Sequence, residues 1–123
     1  MIRVGLGYDV HPFGTHGSLV MGGVTVTDAP ALVGHSDADV AKRVAREGWW
    51  IGNVDVAVAA ERPKLGPHTE AMAANVAAAL DAARQPMGRG IHVAVRPKRG
   101  EGLGFVGRAE GIAVWAVALL ERA

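Results

Sequence analysis

The sequence predicts an α+β sandwich, with helices packed on one face of a mixed β-sheet. Three observations lead there. Short valine-rich runs alternate with stretches of helical periodicity, an early Gly-Gly pair separates two apolar triplets, and Pro/Gly loops punctuate the joins. Half of the 123 residues are apolar, enough for a real core, and the length suits one domain over 1–123 rather than two.

The elements follow in order. Residues 2–8 read as a strand, leading through Asp9, Val10 and His11 into a loop with Pro12, Gly14 and Gly17. Leu19 to Val26 reads as a hairpin, because Gly22 and Gly23 tolerate the positive φ angles of a tight primed turn. A helix is expected to begin at Ser36, which caps it with Asp39 three residues on, and to end at Gly48. Asn53 to Ala60 alternates as a strand, and Pro63, Gly66 and Pro67 form the loop after it. From about Thr69 to Arg84, Met72, Val76, Leu80 and Ala83 share one helical stripe. Ile91 to Val95 is a further strand. Glu110 to Arg122 is expected to be a closing helix, with Ile112, Trp115, Ala116 and Leu119 on its buried side. Trp49 and Trp50 are adjacent at a helix-to-strand junction and cannot both face one core, which argues for an interface.

Composition narrows the function. The 13 Lys+Arg against 12 Asp+Glu leave no basic field for nucleic acid or an anionic membrane. No apolar run reaches membrane-spanning length, and the strand-like start reads as no signal peptide. Without cysteine there is neither a disulfide nor a thiolate metal site, which fits a cytoplasmic protein. Asp9 and His11, two apart on a strand, project from one face and offer oxygen and nitrogen donors suited to zinc. On residue type alone such a pair opens an ordinary loop more often than it binds metal. By the same standard, Ser36 is only a helix cap and His35 only a loop residue.

Five segments, in order from one end of the chain to the other, change that weighting. They are Gly5–His11, Gly34–Ala41, Gly52–Val56, Arg62-Pro63-Lys64 and Leu103–Gly111. Together they resemble the 2-C-methyl-D-erythritol 2,4-cyclodiphosphate synthase family of non-mevalonate isoprenoid biosynthesis. The resemblance implies a ferredoxin-like sandwich assembled as a homotrimer, with each active site shared between neighbouring subunits. It implies a phosphorus–oxygen lyase that expels CMP from a cytidine-diphospho sugar alcohol as its 2-phosphate closes a cyclic diphosphate.

The same resemblance implies roles for residues. Asp9 and His11 match the first two zinc ligands, and Glu101 the carboxylate that holds Mg2+ or Mn2+ beside the diphosphate. His35 and Ser36 match a substrate-contact pair at a helix N-terminus, where unpaired amides favour an anion, and His35 would steady charge on phosphate. Ala60, Glu61, Arg62, Pro63, Lys64, Leu65 and Gly66 match the loop that receives cytosine largely through its backbone. Lys98, Arg99 and Gly100 stand where the family has threonines, so cations replace hydroxyls. Phe105 and Arg108 match residues around the threefold axis, where an isoprenoid diphosphate can sit, although Phe105 serves equally as trimer core.

Two departures bear on catalysis. A helical hairpin's worth of family sequence is absent after Ala41, and Lys42 and Arg43 stand where the third zinc ligand, a histidine, is expected. A guanidinium cannot ligate, and two protein ligands fall short of the three that catalytic zinc usually has. His16, His35, His68 and His92 are the imidazoles left to substitute. The alternative to the enzyme is therefore a trimeric scaffold that keeps a cytidine-nucleotide or anion pocket without turnover. Arg43→His supplies a neutral imidazole and deletes a repelling charge together, so it should raise zinc affinity measured by competitive chelator titration. One tightly held zinc per unmodified chain in elemental analysis would contradict the placement of Arg43.

Overall fold

The computed structural model describes residues 1–33, 46–82 and 90–122. The helix expected from Ser36 therefore lies almost wholly outside the described residues. Gly48 takes the positive φ of 79° that suits its expected place at a helix end.

Strand β1 (Ile2–Pro12) opens the chain, and β2 (Leu19–Met21) and β3 (Val24–Val26) form the expected hairpin. Gly22 and Gly23 turn it with φ of 53° and 72°. The turn sits on a helix side: a Cβ at Gly22 would stand 2.8 Å from that of Met72, and Asn75 Nδ2 donates to the Gly22 carbonyl at 3.0 Å. Strand β4 (Trp50–Ala59) comes next, followed by a short 3-10 turn and helix α1 (Thr69–Ala82). Strand β5 (His92–Lys98), the single turn α2 (Gly104–Gly107) and strand β6 (Gly111–Glu121) complete the chain.

The sheet order is β1-β6-β4-β5. Strand β6 runs antiparallel to both β1 and β4, and β5 lies parallel to β4, joined to it by the crossover through α1. The sheet is therefore mixed, as expected, but the closing helix is not there. Glu110–Arg122 is instead the second strand of the sheet. Its run of Ile112, Trp115, Ala116 and Leu119 mimics a helical stripe because the strand is apolar on both faces, one packed in the core and the other an exposed apolar patch, so the alternation is lost. The β-branched residues Ile112, Val114 and Val117 suit the pleat, and pairing on both edges outweighs the helix preference of the alanines.

One face of the sheet is covered. Val58 and Ile112 pack there with Leu19, Val26, Leu65 and Met72, all nearly inaccessible. Further along, Leu80 of α1 packs on the cluster of Ile51, Val54 and Ile91. On the opposite face Val106 and Phe105 cover the end at Val10 and Ala113, and the rest, with Val4, Leu6, Tyr8, Trp115 and Val117, is open. Tyr8 and Trp115 pair across β1 and β6 with ring centroids 5.2 Å apart. Beside them a groove of ≈ 510 Å³ is lined by Asn53, Asp55, Arg96 and Trp115, among others.

The two tryptophans part company, as adjacency requires. Trp50 Nε1 donates to Glu121 at 3.1 Å, whereas the Trp49 ring lies under the guanidiniums of Arg3 and Arg122, at 5.3 and 5.6 Å from its centroid.

Candidate active site

Strands β1, β4 and β5 all end where β6 begins. His11 is opposite Ile112, Ala59 is opposite both Ala113 and Lys98, and one end of the sheet collects three strand exits. Among the described residues, Asp9 and His11 sit at the exit of β1, and 60–66 and 98–101 follow β4 and β5 on the other side of β6.

Asp9 and His11 form the first group. Asp9 Oδ1 accepts from the Val10 amide at 2.9 Å, while Oδ2 stands 2.8 Å from His11 Nε2. The other ring nitrogen, Nδ1, is 3.1 Å from the Val33 carbonyl. A carbonyl only accepts, so Nδ1 carries a proton in that contact, a role inferred from the partners. Nε2 then faces a carboxylate oxygen at hydrogen-bond distance. The donor chemistry fits zinc, and a carbonyl on the far ring nitrogen is a usual way to orient a ligating imidazole. Among the described residues, however, no third His, Asp or Glu joins them as a metal-binding group. His92 lies on β5, the opposite edge of the sheet. His35, Ser36, Lys42 and Arg43 lie outside the described residues. The chain leaves for them directly from this site, since the Val33 amide donates to the Pro12 carbonyl at 2.9 Å.

The second group is a pair of loops after β4 and β5. The Ala60 amide donates to the Lys98 carbonyl at 3.0 Å, extending the parallel pairing one step beyond the strands. Ala60, Pro63 and Leu65 are buried, while Arg62, Lys64 and Gly66 are exposed, so the loop presents backbone and two cations to solvent. Glu61 reaches across to the other loop. Its Oε1 accepts from Arg99 Nη2 at 2.9 Å and its Oε2 from the Gly100 amide at 2.8 Å. Its partial desolvation raises the carboxyl pKa, but the Gly100 amide, the Arg99 guanidinium and the Gly102 amide outweigh this and hold it below the ordinary value. Lys98 is exposed, and its ammonium makes no ion pair among the described residues.

Glu101 is exposed and sits at a φ of 53°, between two glycines. The loop it rides on presses directly on α2: a Cβ at Gly100 would lie 2.5 Å from the Gly107 nitrogen, and one at Gly107 would lie 2.2 Å from the Gly102 carbonyl carbon. Phe105 is half-buried against the Ala59, Val106 and Ala113 cluster, with Val10 beside it. Arg108 forks onto Glu110 through Nε at 2.7 Å and Nη2 at 3.3 Å. Its hydrogen bonds hold the Glu110 carboxyl below the ordinary value.

Three contacts here had no sequence signal: the Val33 carbonyl behind His11, the Arg108–Glu110 fork and the Glu61 bridge. Arg99 pairs with Glu61 through Nη2 and stays 62% exposed.

A carboxylate–imidazole pair and two joined loops thus gather at one end of a mixed α+β sheet. The family model described as YgbB matches residues 2–44 and again 40–121. A 2-C-methyl-D-erythritol 2,4-cyclodiphosphate synthase of Bordetella avium is 36% identical over 161 positions, covering 98% of this chain and 96% of its own. The chain belongs to the YgbB family, that of the 2-C-methyl-D-erythritol 2,4-cyclodiphosphate synthases. The alignment is longer than the 123-residue chain, and the family match restarts near residue 40, so the relative carries an internal segment missing after Ala41. A solved cyclodiphosphate synthase of Plasmodium vivax superposes with a TM-score of 0.79 at 25% identity, covering 100% of this chain and 99% of its own. The bifunctional IspDF of Campylobacter jejuni superposes at 0.81 with 27% identity, and this chain spans 43% of it.

Glu61 makes the loop clasp sensitive to pH, with a definite sign. Its folded pKa lies below 4.5, so its contribution is complete above the unfolded value and is lost as pH falls through the lowered one. In a ¹⁵N–¹H titration the Gly100 amide should move with a midpoint under 4.5. A midpoint at or above the ordinary carboxylate value would contradict the contact.

Proposed function

We propose that the chain acts as a 2-C-methyl-D-erythritol 2,4-cyclodiphosphate synthase in non-mevalonate isoprenoid biosynthesis, a cytoplasmic lyase working as one domain over 1–123. Its reaction turns 4-diphosphocytidyl-2-C-methyl-erythritol 2-phosphate into the cyclic diphosphate and CMP. The 2-phosphate oxygen attacks the β-phosphorus, the bond to the CMP phosphate breaks, and the electron pair leaves on CMP. The carrying observation is the gathering of Asp9, His11 and the two joined loops at one end of the sheet.

The residues divide the work as follows. The backbone of Ala60–Gly66 receives the cytosine, with Arg62 and Lys64 at its rim. Lys98 meets the diphosphate as a point charge. His35 and Ser36 would meet the substrate phosphate. Asp9 and His11 would hold zinc, and Glu101 would hold Mg2+ or Mn2+, which a single carboxylate does when substrate phosphates supply further ligands. When bound, these ions supply charge neutralisation at the phosphoryl oxygens.

The exposed sheet face supports a homotrimer. Val4, Leu6 and Tyr8 are 58–73% exposed, a contiguous apolar surface of the kind that marks an interface. Three such faces around one axis would enclose the groove beside Trp115, and by the family resemblance an isoprenoid diphosphate would sit on that axis by Phe105 and Arg108. Arg108, already paired with Glu110, would have to exchange that partner to contribute. No helix among the described residues is long and apolar enough to cross a membrane.

The absent internal segment favours a second reading, a trimeric scaffold that holds a cytidine nucleotide without turnover. The discriminating assay incubates the protein with substrate, zinc and magnesium and follows CMP. Equal amounts of CMP and cyclic diphosphate are expected, at a rate below that of full-length relatives; CDP binding with no CMP release would leave the scaffold alone standing. Light scattering should give a trimer that Leu6→Asp splits, and a monomer mass for the wild type would refute the assembly.

A further inference from the structure

Resting on the nucleotide reading just given, we propose that Glu61 is a positioning residue whose side chain clasps the second loop rather than the nucleotide. The carboxylate spans both partners, one oxygen on the Arg99 guanidinium and one on the Gly100 amide. Its side chain is only 13% exposed, against 62% for Arg99, so it points into the seam between the loops and away from a ligand on the surface.

The seam is anchored on every side. Behind Glu61, Ala60 is 5% exposed and its amide is bonded to Lys98, so the base of the carboxylate is immobile. In front, Gly100 is held between Glu61 and the backbone of Gly107, with no room for a side chain. The Leu103 amide then donates back to the Gly100 carbonyl at 2.9 Å, closing a tight turn around Glu101. With the residue before Glu101 fixed in this way and its own φ positive, the place of the Glu101 backbone on the loop follows from the clasp.

Two consequences follow. A loop expected to carry threonines is held by an acidic residue of the neighbouring loop. Arg99 is tied to Glu61 through one nitrogen, while Lys98 makes no ion pair among the described residues.

The test is calorimetric titration of CDP into the wild type and three variants, with thermal denaturation of each. Glu61→Gln keeps the reach and an oxygen for the Gly100 amide, so its affinity should fall by no more than about threefold. Glu61→Asp keeps the charge but withdraws by one methylene, and Glu61→Ala loses both; each should weaken CDP by about tenfold or more. Proton exchange at the Gly100 amide should quicken in Asp and Ala and stay slow in Gln. Should the Ala variant fail to fold, the Gln–Asp comparison decides alone. A role in general stability would lower the melting temperature of a variant and leave its CDP affinity intact. Wild-type affinity in both Asp and Ala, or in Asp where Ala cannot be made, overturns the inference while the nucleotide reading stands. If the wild type takes up no CDP, the nucleotide reading falls and this inference with it.

Discussion

Strand β6 is hydrogen-bonded along both edges, to β1 for eleven residues and to β4 for most of its length. The topology depends on that double pairing. Because both neighbours run against it, β1 and β4 run alike, and the crossover through α1 then makes β5 run the same way. Three exits at one end of the sheet follow from one central strand, and with them the site. The point where β6 starts is correspondingly tight: a Cβ on Gly111 would stand 2.6 Å from the His11 carbonyl oxygen. A side chain there would push β1 away at the residue that carries the metal-donor imidazole.

The same strand divides the molecule into two faces with different fates. Ile112 and Val114 turn toward the helix and the hairpin, where Leu19, Val26 and Met72 leave almost no accessible surface. Trp115 and Val117 turn the other way, 40% exposed each, beside Leu6 at 73%. Apolar area of this kind in water costs about 25 cal/mol per Å², which makes a second copy of the same face the natural cover. The Asp55–Arg96 ion pair at 2.9 Å places the principal charge of the groove on that otherwise apolar surface. Half-exposed pairs of this kind contribute little to stability, and their value at an interface lies in fixing register.

Much of this was legible in the sequence wherever the information was local. The Gly22-Gly23 turn, the stripe that becomes α1 and the i, i+2 spacing of Asp9 and His11 needed only neighbouring residues to be read. Strand β6 was misread for a physical reason: one face packs in the core and the other is an exposed apolar patch, so its residues lose the alternation that signals a strand. Only the pairing partners, near the start of the chain and in its middle, decide its conformation. The Glu61 clasp was invisible on similar grounds, since Glu61 and Gly100 are 39 residues apart in the chain. The departures at Lys98, Arg99 and Gly100 were plain in the sequence, yet their meaning was not. The pairing of Arg99 with Glu61 shows only when both loops are seen together. The expected roles of His35 and Ser36 rest on family resemblance alone.

The chemistry proposed for this sheet end is modest and electrostatic: hold a cytidine base by backbone, steady a diphosphate, and bring donors to it. Catalysis of phosphoryl transfer is mostly positioning of this sort. The central claim is that the loops after β4 and β5 form one cytidine-diphosphate site. Titrating CDP into ¹⁵N-labelled protein tests it most directly. The account predicts shift changes concentrated at the backbone amides of 60–66 and 98–104, with the hairpin of β2 and β3 unaffected. Perturbations confined to the bare sheet face, or none at millimolar CDP, would contradict it.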